Sequence, residues 1–100
     1  MTEPEHCRTM AEVRDGVDQL DGDIVRLLAR RFRFMEAAAR IKGSRDTVRD
    51  ERRKAEIVAR VRRAAANAGI PEDLIAELYD RLIEGSIAFE LARFDALHGA

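Results

Sequence analysis

The sequence has a single cysteine, Cys7, so it admits no disulfide within the chain and no metal site built on thiolates. Its two histidines, His6 and His98, stand at opposite ends, and no metal ligand set is expected. No apolar run approaches the roughly 18 residues needed to cross a bilayer. The opening MTEPEHCRTM lacks the apolar centre of a signal peptide. The expectation is a cytoplasmic protein that does not engage membranes. Neither sign of charge dominates. Lys and Arg number 18 against 19 Asp and Glu, a formal net charge of −1, which gives nucleic-acid binding no bulk electrostatic support. Two prolines, six glycines, five aromatics and no tryptophan leave little for a turn-rich β architecture, and no strand alternation is visible.

What is abundant is Ala, Leu, Arg, Glu and Asp, a mixture that favours long helices. One hundred residues make one domain, 1–100, with 1–9 expected as a mobile N-terminus. Thr9-Met10-Ala11-Glu12 reads as a capping box. After it an apolar seam runs Val13, Val17, Leu20, Ile24, Leu27, position 31, Phe34, Ala38 and Ile41, and Gly43-Ser44 is the first credible stop. A helix over residues 10–42 spans roughly 50 Å, longer than the roughly 30 Å of a compact domain of this size. Two shorter helices cannot cover such a stripe, so a second copy of the chain is expected to do so in an intertwined dimer. The polar segment SRDTVRDE reads as a loop, with Asp50 or Thr47 capping a second helix that ends near Asn67-Ala68-Gly69. Pro71, Glu72 and Asp73 suit the start of a third helix, which continues through Leu74, Ile75, Leu78, Leu82, Ile83, Ile87 and Phe94 to about Leu97.

Charged residues interrupt these inward faces. Arg31 occupies a seam position where an apolar side chain should stand. Lys42 lies eleven residues on, close to three whole turns, so the two share a face about 16 Å apart along the axis. Their long side chains can converge on one small anion. Arg14 lies roughly 25 Å from Arg31 and about 100° around the helix, and could join that site only from another subunit. On the third helix Ser86 and Glu90 align with Tyr79 and Ile83, and Arg49, Arg52 and Arg53 add cations near the start of the second. Singly, each is most often a solvated or snorkelling side chain. Together, cations at three places and an acid at a fourth suit a small dicarboxylate.

Val13-Arg14 with Leu20-Asp21, the triplet Ala29-Arg30-Arg31, Lys42 before the loop, Val48-Arg49-Asp50 with Arg53, and Ile83-Glu84-Gly85-Ser86 with Glu90 together resemble the all-helical chorismate mutase family over nearly the whole chain. The resemblance implies an intertwined homodimer of three-helix chains and the cofactor-free pericyclic rearrangement of chorismate to prephenate, on the route to aromatic amino acids. It implies that Arg31, and Arg14 of the partner subunit, grip the substrate carboxylates. Lys42 would donate to the ether oxygen and a carboxylate, and Arg53 would orient the substrate. Asp50 would lie near the ring hydroxyl and Ser86 near a carboxylate. Glu90 would donate to the ether oxygen; since a carboxylate cannot donate, it would do so as the neutral acid, and activity should fall as pH rises.

Two departures point to a related activity, isochorismate pyruvate-lyase. Lys54 stands where the mutases usually carry Glu, and the loop after Lys42 is one residue shorter. Pro4-Glu5-His6-Cys7 is also similar to the lyases' opening, whereas Glu84-Gly85-Ser86 is mutase-like. A remoter alternative is a non-enzymatic helical dimerisation module, or a nucleic-acid binder using RDERRKAEIVARVRR. Acids interleave with that run and it carries no aromatics for stacking.

Overall fold

Three helices account for most of the chain in the computed structural model, which describes residues 1–99. They are α1 (Met10–Ile41), α2 (Glu51–Ala68) and α3 (Glu72–Leu97), with single 3-10 turns at Pro4–His6 and Arg45–Thr47. The fold is all-α with a long first helix, as the seam foretold, and no strand occurs among the described residues. The chain divides into two compact units, Met1–Phe34 and a second beginning at Met35.

In the first unit the capping box closes reciprocally. The Glu12 N–H donates to Thr9 Oγ1 at 3.2 Å, and the Thr9 N–H donates to Glu12 Oε1 at 3.2 Å. The Arg8 N–H, with help from Thr9, holds the Glu12 carboxyl below its usual range. The N-terminal segment folds back on α1: Met1 Sδ lies 3.5 Å from where a side chain on Gly16 would begin, an ordinary van der Waals contact. The seam that follows is uncovered. Val13, Val17, Leu20 and Ile24 are exposed, and Leu27 is 67% and Phe34 64% accessible.

In the second unit α2 packs on α3, and the 3-10 turn also contacts α3. Ala65, Ala76, Ile83 and Phe94 form the core with Val48, which is buried although it sits in the segment expected to be a polar loop. Asp50, not Thr47, caps α2: its Oδ1 accepts the Arg53 N–H at 3.0 Å. Thr47 instead closes the 3-10 turn by donating from Oγ1 to the Ser44 carbonyl at 2.7 Å. α2 ends at Gly69, whose φ of 74° lets the Ile70 N–H reach back to the Ala65 carbonyl at 3.0 Å. Pro71 takes the N-cap position, one residue earlier than expected, and α3 starts at Glu72. Gly43, by contrast, needs no left-handed backbone, and a side chain there would meet open space. Gly69→Ala should therefore destabilise the protein by about 1–2 kcal/mol, seen as a drop of several degrees in Tm, while Gly43→Ala leaves Tm unchanged. Equal effects of the two substitutions would contradict this account of the turn.

Candidate functional site

Lys42 follows the last residue of α1, its backbone N–H still bonded to the Ala38 carbonyl at 2.9 Å. Its side chain carries the ammonium to α3, where Nζ donates to Glu90 Oε2 at 2.8 Å and lies 3.5 Å from the Val48 carbonyl. Glu90 is only 4% accessible and Ser86, one turn earlier, 3%. Ser86 Oγ donates to the Leu82 carbonyl at 2.7 Å, the local bond by which a buried helical serine satisfies its hydroxyl. Glu90 has no such backbone option, and the Lys42 ammonium neutralises it. The interrupted helical pattern marked Ser86 and Glu90 as polar residues on an apolar face; their pairing with Lys42 is a feature of the folded chain.

Other candidate residues are placed differently. Asp50 and Arg53 stand together at the start of α2. There Asp50 spends one carboxylate oxygen on the cap, and the Arg53 guanidinium lies 3.7 Å from Glu56. Arg14 and Arg31 belong to the first unit, Arg14 exposed and Arg31 half-buried on α1. The structure thus brings together Lys42, Ser86 and Glu90, and separately Asp50 with Arg53. No cluster of His, Cys, Asp and Glu fit to hold a metal occurs among the described residues, and no helix there is long and apolar enough to cross a membrane.

An ion network on the residues of α3 just before Ser86 was not foreseen. Arg49 grips Glu84 in fork geometry, with NH2 to Oε1 at 2.7 Å and NH1 to Oε2 at 3.1 Å. Lys54 places Nζ 2.9 Å from both Glu84 and Asp80. Asp80 and Glu84 are one turn apart on α3, and that spacing opposite a basic helix start was the only signal for them in the sequence. The Arg49 guanidinium, and then the Lys54 ammonium, hold the Glu84 carboxyl at about 2. Glu84, and then Asp80, push the Lys54 ammonium up to about 12.

With this geometry in view, the chain's kinship is informative. The sequence model of the family described as chorismate mutase type II matches residues 13–91, a span that takes in Arg14, Arg31, Lys42, Asp50, Arg53, Ser86 and Glu90. The chain belongs to that family. Among characterised proteins it is 30% identical, over 100 residues, to the isochorismate pyruvate lyase of Pseudomonas aeruginosa, a match covering 100% of this chain and 99% of that one. These are enzymes that act on chorismate-like small molecules.

The Glu84 network carries a pH signature. Its folded value lies below the ordinary 4.5, so the stability it contributes is fully present above about pH 4.5 and is lost as pH falls towards 2. Glu84→Gln should lower Tm near neutrality, and its gap from the natural chain should narrow between pH 4.5 and 2. A gap that stays constant down to pH 2 would show that the ion pairs contribute nothing.

Proposed function

We propose that the protein is a chorismate mutase. The observation that carries this reading is the contact of half-buried Lys42 with buried Glu90 at 2.8 Å, beside Ser86. Chorismate has two carboxylates and an enolpyruvyl ether. In its rearrangement the ether C–O bond breaks as a C–C bond forms within the same molecule, so the enzyme has only to hold the chair-like conformer and stabilise charge growing on the ether oxygen. Lys42 is already desolvated on one side and aimed across the face, and donates to that oxygen and a carboxylate. The incoming dianion competes with Glu90 for the ammonium, and Glu90 in its neutral acid form is the second donor, since a carboxylate has no proton to give. Arg31, and Arg14 of the partner subunit, supply forked donors for the carboxylates. Arg53 orients the substrate, Asp50 serves the ring hydroxyl and Ser86 a carboxylate. The small Gly85-Ser86 pair, where the lyases carry aromatic bulk, favours the mutase.

A second reading, isochorismate pyruvate-lyase activity, has its own support. The full-length relative carries that name. Lys54, turned onto Asp80 and Glu84, also offers no acceptor to a ring hydroxyl. The deciding experiment offers chorismate and isochorismate separately to the purified protein, over a range of pH, for the natural chain and Glu90→Gln. The mutase reading expects prephenate from chorismate with little salicylate, a rate that falls as pH rises, and a flatter profile in Glu90→Gln. Efficient salicylate and pyruvate from isochorismate would move the protein to the lyase. Loss of all activity in Glu90→Gln at every pH would refute the donor role of Glu90.

The exposed seam of α1 supports a homodimer in which each chain, acting as a single domain, lends Arg14 to its partner. A 67% accessible leucine in an apolar stripe interrupted only at Arg31 is best explained by a covering surface of the same kind. Sedimentation equilibrium should return twice the mass of one chain. Leu27→Arg should return one chain mass with activity lost. A natural chain that sediments as a monomer while turning over substrate would contradict the dimer.

A further inference from the structure

The α3 stripe that carries Glu90 continues one turn on to Phe94 and a second turn on to His98, the first residue past the helix. The His98 ring stacks on Phe94, with centroids 4.0 Å apart and planes inclined at 26°. Its Nε2 lies 3.3 Å from the carbonyl oxygen of Ala39. A carbonyl only accepts, so Nε2 is the protonated, donating nitrogen. Ala39 stands three residues before Lys42 in the last turn of α1, where carbonyls run out of backbone partners. The ladder closes with Lys42 N–H on Ala38. Ala39 is 0% accessible, so water cannot serve its carbonyl and the imidazole does. Two neighbouring contacts act on the same short segment: Arg45 Nε donates to Asp95 Oδ1 at 2.9 Å, and Arg93 lies 3.8 Å from Glu36. The end of α3 therefore grips α1 and its following loop on both sides of Lys42.

We propose that His98 is a positioning residue for Lys42: by completing the hydrogen bonding of the last turn of α1 it fixes the stem from which the ammonium reaches Glu90. This rests on the reading of Lys42–Glu90 as the reacting centre, and it adds a contributor beyond residue 91, where the family match ends. Two substitutions separate the ring from its donor. His98→Phe keeps an aromatic ring for Phe94 and removes the N–H, whereas His98→Gln restores an N–H donor without the ring.

The test measures kcat and KM on whichever substrate the natural chain uses, Tm, and the 15N resonance of the Lys42 ammonium in the ligand-free protein. A misplaced donor lowers the chemical step more than binding, so His98→Phe should cut kcat by about tenfold with little change in KM. It should shift the Lys42 resonance, and His98→Gln should recover most of both. An unchanged Lys42 resonance and kcat in His98→Phe would overturn the proposal. So would a loss of kcat that tracks Tm in both variants with no recovery in His98→Gln. If the natural chain turns over neither substrate, the functional reading fails by itself, and the Lys42 resonance alone upholds or overturns the positioning role.

Discussion

A carboxylate on the packed face of a helix needs compensation, from a cation or from several hydrogen-bond donors. Glu90 meets that requirement through Lys42 at 2.8 Å, and the pair decides much of what surrounds it. The two residues lie 48 positions apart, so their contact ties the end of α1 to the middle of α3. Taking one partner away from a buried pair costs about 3–5 kcal/mol. Here the lysine keeps 30% of its side chain in solvent, which places the cost towards the lower end. That asymmetry suits a working site: the cation can be drawn to an incoming anion, while the acid stays where water does not reach.

The remainder of the second unit maintains that geometry. Ser86 satisfies its own hydroxyl and leaves a small polar surface beside the acid. The Arg49–Glu84–Lys54 network fastens the start of α2 to α3 just before Ser86, and Arg62 repeats the pattern near the other end of α2 with Asp73 at 2.6 Å. Lys54 and Arg62 of α2 thus face acids in the first half of α3, while Arg52 and Arg53 lie nearest Glu56 of their own helix. This explains a chain that is rich in charge yet nearly neutral, and leaves less of the basic run for a polyanionic partner.

Features governed by local rules were legible in the sequence. The capping box at Thr9 and Glu12, the stop at Gly69 and the three helices follow from capping and periodicity. The buried Ser86 and Glu90 were visible as interruptions of an apolar stripe. What could not be read depends on which faces meet. Lys54 stood out as a departure, but its partners Asp80 and Glu84 become evident only once α2 lies on α3. His98 looked like an isolated histidine, because nothing local links it to a carbonyl 59 residues away. Val48 was lost in a polar segment because a single buried residue carries no period. Arg31 was visible as a cation in an apolar seam and Arg14 by its offset around the same helix, whereas their roles came only from the family resemblance.

The central claim is that Lys42 and Glu90 exchange their mutual contact for the ether oxygen of the substrate. The most direct measurement is a crystal structure with an unreactive bicyclic dicarboxylate ether shaped like the chair-like transition state. The account expects Lys42 Nζ and a Glu90 oxygen both within about 3 Å of the ether oxygen, with the carboxylates held by arginines. A ligand bound elsewhere, with the Lys42–Glu90 contact still at its unliganded distance, would contradict it.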